Sequence, residues 1–168
     1  SMDLSPAERL ILINQYELLA RLEPERAAHY QKLIEILRSG YQIYFDDAHF
    51  PLTDMPPRHS EFVLDVLGLY RLIESFKTHF PEDEHARRSR WTRFEGFCDR
   101  GEEQLLAFTQ FVIVQLGKFP EQMRYRSATR DWHAYEPMSG RYEKLLTAWH
   151  KLGDPVQLTP DHIRILLP

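Results

Sequence analysis

The chain has 168 residues and a formal net charge of −4, with 43% hydrophobic and 27% charged residues. This balance excludes a disordered or fibrous protein, and the lone cysteine, Cys98, excludes an intramolecular disulfide or a multi-thiolate metal site. With no apolar run long enough to cross a bilayer and no secretory start, we expect a cytoplasmic protein without a membrane partner. We interpret residues 1–3 as a cloning remnant and disordered start, and residues 4–168 as a single domain.

Helix signals begin at the first residues of that range. Ser5, Pro6 and Glu8 combine a capping serine, a proline at the first helical position and a glutamate able to bond back to the cap. They predict a helix that ends near Leu22, before Pro24. A second helix is predicted from Pro24 to about Ser39, where Gly40 favours a left-handed stop.

The remaining helices follow from the 3.6-residue period and from their ends. A long helix is predicted over 58–79, a short one after Pro81, one from a capping box at Asp99–Glu102 toward Gly117, one over 139–151, and one capped by Thr159. Residues 41–57 and 118–138 lack this period. The predicted fold is therefore all-α, a compact bundle of six to seven helices with two long irregular connections.

The first helix is apolar on more than one face. Leu10, Ile11, Leu12 and Ile13 are consecutive, so they point in four directions around the helix. Because one side of the helix cannot bury all four side chains, some of them must pack against another surface. We therefore expect a homo-oligomer formed through the first helix.

Lysine and arginine are concentrated in the middle of this acidic chain. Residues 87–130 hold nine Lys/Arg against five Asp/Glu, which leaves twelve against twenty elsewhere. Aromatic residues are interleaved with the cations, and nucleic-acid binding uses cations for phosphate and aromatic rings for bases. The candidate binding residues are Arg87, Arg88, Arg90, Trp91, Arg124, Arg126, Arg130 and Trp132. These residues lie in two basic segments, 85–94 and 124–133. The predicted partner is RNA or single-stranded DNA, provided that the two basic segments meet on one face; a solvated face of paired charges is the alternative.

Two of these positions also suggest catalysis. Arg126 and His133 are separated by six residues, a spacing that resembles the active-site pattern of the HEPN family of α-helical ribonucleases. The resemblance implies that His133 acts as acid or base while Arg126 holds phosphate charge.

Other catalytic patterns are missing from the sequence. It has no phosphate-binding glycine loop, no nucleophile elbow and no pair of histidines at the i, i+4 spacing. We interpret Asp46, Asp47 and His49 as a solvated turn and Cys98 as inert packing. We therefore expect no metal and no cofactor.

Several motifs resemble one family along nearly the whole chain. They are Leu4–Leu12 with Asn14–Tyr16, Arg38–Tyr41, Phe94–Phe97, Gly117–Phe119 and Tyr142–His150. On these motifs the chain resembles the bacterial YfbU family of small α-helical proteins, which has no established activity. Cys98 stands where the family commonly has Asp, and Asp99 is displaced from that position by one residue. The resemblance implies a fold and no catalytic residues. From the sequence, the leading hypothesis is a self-associating interaction module without enzymatic activity, and the alternative is a nucleic-acid-binding protein or HEPN-like ribonuclease.

Overall fold

The computed structural model describes residues 3–49 and 52–168, and within them the all-α prediction is confirmed. Its seven α-helices are α1 Pro6–Leu22, α2 Ala27–Ser39, α3 Pro57–His79, α4 Glu84–Arg88, α5 Glu103–Gln110, α6 Ser139–Lys151 and α7 Pro160–Leu166. Two two-residue strands, β1 Phe97–Cys98 and β2 His133–Ala134, pair in parallel. Ser1 and Met2, from the predicted disordered start, lie outside the described residues.

The chain packs as two compact units, residues 1–54 and 55–168. We call them unit 1 and unit 2. Unit 1 holds α1 and α2, and unit 2 holds the other five helices and both strands. The single domain over residues 4–168 stays a prediction.

Unit 1 is a helical hairpin. Ser5 caps α1 as predicted, since its hydroxyl accepts the Glu8 N–H at 3.2 Å while the Glu8 carboxylate accepts the Ser5 N–H at 2.7 Å. The helix α2 ends at Gly40, which is left-handed with φ 72°. The predicted inward stripe of α2 is the buried one: Tyr30, Leu33, Ile34 and Leu37.

Unit 2 is built around α3 and α6. Buried aromatic rings of Tyr70 on α3, Tyr142 on α6, and Phe94 and Phe97 between these helices lie 5.3–5.9 Å apart, centroid to centroid. The structure begins α6 at Ser139 and α7 at Pro160, and Thr159 caps α7 by accepting the His162 N–H at 3.2 Å. These predicted helix positions are confirmed.

The predicted capping box at Asp99 is wrong. The helix α5 begins at Glu103, because Gly101 turns the chain with φ 91° and its N–H donates to the Glu103 carboxylate at 2.8 Å. Phe111–Gln115 continues α5 as a π-helical segment. The predicted helix toward Gly117 is therefore present, and its last turn is wider than that of an α-helix.

The predicted irregular connection over 118–138 contains a short 3₁₀ helix, Pro120–Tyr125, and β2. Periodicity did not predict the bridge between β1 and β2, because two-residue strands are too short to show a period. This bridge positions the site described next.

Candidate functional site

The bridge between β1 and β2 joins the chain just after the first basic segment to the end of the second. Phe97 pairs with His133 and Cys98 pairs with Ala134, and the Phe97 N–H donates to the Trp132 carbonyl at 3.0 Å. Phe97 and Cys98 are buried. The backbone of the second segment is thereby fixed against the core of unit 2.

Gly96 makes this approach possible. A Cβ added at Gly96 would lie 1.8 Å from the Trp132 carbonyl oxygen, and the residue has φ 82°. Only glycine tolerates both the contact and the dihedral angle. The Gly96 carbonyl also accepts the Tyr142 hydroxyl hydrogen at 2.9 Å, which ties the bridge to α6.

The segment before β2 forms a left-handed turn of three residues. Arg130, Asp131 and Trp132 have φ of 53°, 59° and 61°, a conformation that costs an L-residue roughly 1–2 kcal/mol. Thr129 holds the turn, because its hydroxyl accepts the Trp132 N–H and its carbonyl accepts the His133 N–H, both at 3.0 Å. The turn sends Trp132 inward and leaves Arg130 exposed.

The burial of Trp132 corrects one predicted binding residue. Its side chain is 0% exposed, within the aromatic core of unit 2. A base cannot reach a ring that is covered on all sides. The other candidate, Trp91, is half-buried, and the Arg141 guanidinium lies 5.0 Å from its ring centroid.

Residues from both basic segments line one cleft of about 300 Å³. Its arginines are Arg90, Arg93, Arg130 and Arg141, and its carboxylates belong to Glu95 and Glu136. We call this set the arginine cleft. His133 lines it as well, and the two segments therefore meet here.

A second pocket, of about 550 Å³, adjoins the cleft. It is lined by Asp99, Arg100, Arg130, His133, Ala134 and Tyr135. We call it the side pocket. Arg130, His133, Ala134 and Tyr135 line both spaces, so β2 and its flanking residues form the wall that they share.

Three of the four cleft arginines are available to a ligand. Arg93 is engaged by Glu95 through two hydrogen bonds of 3.0 and 3.1 Å. Among the described residues, Arg90, Arg130 and Arg141 take part in none of the ion pairs. Their guanidinium groups keep donors free for phosphate or carboxylate.

The other predicted binding residues lie outside the cleft lining. Arg87 and Arg88 lie on α4 and pair with Glu82 at 3.5 Å and Glu84 at 3.4 Å. Arg124 lies 5.9 Å from the ring centroid of Tyr125. All three residues are exposed, as in the solvated charged face given as the alternative above.

The structure does not bring Arg126 into the cleft beside His133. Arg126 instead pairs with Asp131, Nε to Oδ1 at 2.6 Å. His133 Nδ1 lies 3.1 Å from the Arg130 carbonyl oxygen and donates to it, because a carbonyl only accepts. The Arg126–His133 ribonuclease pair stays a prediction.

Arg141 and Tyr135 are cleft residues that the sequence patterns did not indicate. Arg141 lies on α6, where periodicity identified only the inward residues. Tyr135 follows β2 and is 77% exposed. Since neither position belongs to the basic segments, only the three-dimensional arrangement relates them to Arg90.

A buried carboxylate, that of Glu102, links β1 to the residues at the start of α6. Glu102 is 6% exposed and accepts backbone N–H groups from Cys98 at 2.9 Å, Met138 at 3.0 Å and Ser139 at 2.8 Å, together with the Ser139 hydroxyl hydrogen. Burial by itself raises the pKa of Glu102, but these hydrogen bonds to the ionised form outweigh it and lower the pKa. Glu102 thus joins β1 to the first turn of α6.

Known proteins resemble this helical chain over nearly all its length. The YfbU domain matches residues 2–167, so the chain belongs to the YfbU family. It is 34% identical over 148 residues to UPF0304 protein MJECS11 of Methanocaldococcus jannaschii, covering 87% of each chain. It is 26% identical over 166 residues to UPF0304 protein PM1500 of Pasteurella multocida, covering 99% of each. Relatives thus occur in an archaeon as well as in a bacterium.

Within residues 3–49 and 52–168, none of the helices has both the length and the apolar character that a membrane crossing needs.

Proposed function

We propose that the protein binds single-stranded nucleic acid in the arginine cleft. The observation that supports this proposal is the convergence of Arg90, Arg130 and Arg141, from three separate parts of the chain, on one cleft. Within the part of the chain that the structure describes, none of the three takes part in an ion pair. A guanidinium group matches the geometry of a phosphate and donates to two of its oxygens. The protein as a whole is acidic, so binding depends on this local concentration of positive charge rather than on net charge.

Substituting cleft arginines should weaken binding and reduce its salt dependence. For a fluorescein-labelled dT oligonucleotide of about 12 nucleotides, we expect Arg90→Gln/Arg130→Gln to lower affinity at least about tenfold at low salt, because two charge-assisted contacts are lost. The slope of log K against log salt should flatten by about 1.4, since each contacted phosphate on a single strand contributes about 0.7. Fluorescence anisotropy from about 50 to about 200 mM salt measures both quantities.

The matched control is Arg87→Gln/Arg88→Gln. It removes the same charge from exposed arginines of unit 2 that lie outside the cleft lining. Binding by this variant should stay within about twofold of the wild type, because these arginines are already paired with Glu82 and Glu84 and do not line the cleft. Equal loss in both variants, or no binding by the wild type at low salt, would refute the proposal.

A second proposed function is self-association through α1. Leu10, Ile11 and Leu18 are each 58% exposed, and Leu22 is 77% exposed. Ile11, Leu18 and Leu22 are spaced seven and four residues apart, so they share one face of the helix. At about 100 Å² of exposed surface each, the three side chains on this face contribute about 600 Å² to a pair of helices, about half of the roughly 1,200 Å² of a small specific interface.

Sedimentation equilibrium at micromolar concentration tests this second function. The wild type should sediment at about twice the 20.0 kDa chain mass, and Ile11→Glu/Leu18→Glu at the mass of one chain, because a buried unpaired carboxylate is costly. Val156→Glu/Ile165→Glu, which changes two exposed apolar residues of unit 2, is the control and should leave the dimer intact. A wild-type protein that sediments as one chain would exclude self-association.

A further inference from the structure

Tyr135 is an aromatic residue that the fold holds at the surface. It is 77% exposed, more than Phe80 at 42% or Phe111 at 41%, the other exposed aromatic residues of unit 2. Burying an aromatic ring normally stabilises a fold, so a ring left this exposed adds little to stability. Its exposed position beside the arginines therefore indicates a role in binding.

The backbone of Tyr135 is fixed on both sides. Residues 133 and 134, immediately before it, form the parallel bridge with β1. Its own carbonyl oxygen accepts a hydrogen bond from Arg100 Nη2 at 3.3 Å. The ring therefore projects from an anchored point, which lowers the entropy lost when a ligand is bound.

The Arg130 guanidinium sets the orientation of the ring. Its central carbon lies 4.2 Å from the ring centroid of Tyr135, within the range of a cation–π contact. With 77% of the residue exposed, this contact leaves much of the ring open. Tyr135 also lines both the arginine cleft and the side pocket, so it lies where their shared wall meets solvent.

We infer that Tyr135 is the base-stacking platform of the arginine cleft. This inference rests on the proposed function: the arginines bind phosphates, and an adjacent base stacks on the open part of the tyrosine ring. Such stacking needs an unpaired base, because the bases of a duplex are already stacked on one another. The arrangement therefore selects single strands over duplexes and replaces the stacking role that was predicted for Trp132.

The test compares two probes, a fluorescein-labelled dT oligonucleotide of about 12 nucleotides and an abasic strand of the same length and label. The wild type should bind the dT strand about 5- to 100-fold more tightly than the abasic one, which is the range expected for stacking one base. Tyr135→Ala should bring the dT affinity down to the abasic level while leaving abasic binding unchanged. Tyr135→Phe should retain most of the preference, because the ring and not the hydroxyl does the stacking.

Tyr44→Ala is the matched control, since Tyr44 is 52% exposed and lies in unit 1. It should change neither affinity. If Tyr135→Ala keeps the wild-type preference while Arg90→Gln/Arg130→Gln still loses binding, the stacking inference is wrong and the proposed function stands. If the wild type binds neither strand at low salt, both are wrong. Thermal melting of each variant establishes that these comparisons concern folded protein.

Discussion

Gly96→Ala should lower the free energy of unfolding of unit 2 by about 4 kcal/mol or more, a large part of the roughly 5–15 kcal/mol of a typical domain. The added methyl group would lie 1.8 Å from the Trp132 carbonyl oxygen, which is backbone and cannot move aside as a flexible side chain would. Overpacking of this kind costs about 1–3 kcal/mol or more, and the left-handed φ of 82° adds roughly 1–2 kcal/mol. Relief of the clash would break the bridge between β1 and β2.

Gly101→Ala separates the two contributions. Gly101 has an even more positive φ, 91°, but an added Cβ there has no neighbour within 4 Å. This control should cost only the conformational penalty, about 1–2 kcal/mol. Urea unfolding followed by tryptophan fluorescence measures both variants, and equal costs would show that the close approach at Gly96 is unimportant.

Replacing the buried carboxylate of Glu102 should have the second large effect. Glu102→Ala is expected to cost about 3–5 kcal/mol, because it leaves the N–H groups of Cys98, Met138 and Ser139 without their acceptor. Glu102→Gln keeps one acceptor oxygen and should cost less. Glu103→Ala, at an exposed position with one local hydrogen bond, is the control and should cost under about 1 kcal/mol.

The same carboxylate makes stability depend on pH. Hydrogen bonding lowers the pKa of Glu102 in the folded state below its ordinary value of 4.5. Its contribution is therefore fully present above that value and is lost as the pH falls through the folded-state pKa. Urea unfolding should show a decline in wild-type stability in this acid range, and the decline should be smaller in Glu102→Gln. The same decline in both proteins would assign the acid sensitivity to other groups.

Local signals predicted most of the helices. The caps at Ser5 and Thr159, the stop at Gly40 and the buried stripe of α2 are each determined by residues within a few positions of one another, so the sequence displays them directly. The wrong capping box at Asp99 shows the limit of that reasoning. The Glu102 side chain, expected to bond back to Asp99, instead accepts hydrogen bonds from residues 36 and 37 positions away.

The candidate site could be predicted only in part. The basic segments include Arg90 and Arg130, which both line the cleft, but their places there depend on contacts across the chain. Trp132 looked like a surface aromatic because it stands among charged residues, yet three left-handed residues in succession turn it into the core. No local pattern of side chains signals such a turn, because left-handed conformations are rare for residues other than glycine.

The bridge between Phe97 and His133 also bears on how the protein folds. It encloses residues 98–132, and bringing the ends of so long a loop together carries an entropic cost that short-range helical contacts do not have. The individual helices of unit 2 can therefore form before the two strands meet. The arginine cleft, lined by residues from both ends of this loop, assembles only once such long-range contacts form. A ligand bound there would mainly slow unfolding, because it stabilises contacts that are not yet formed in the folding transition state.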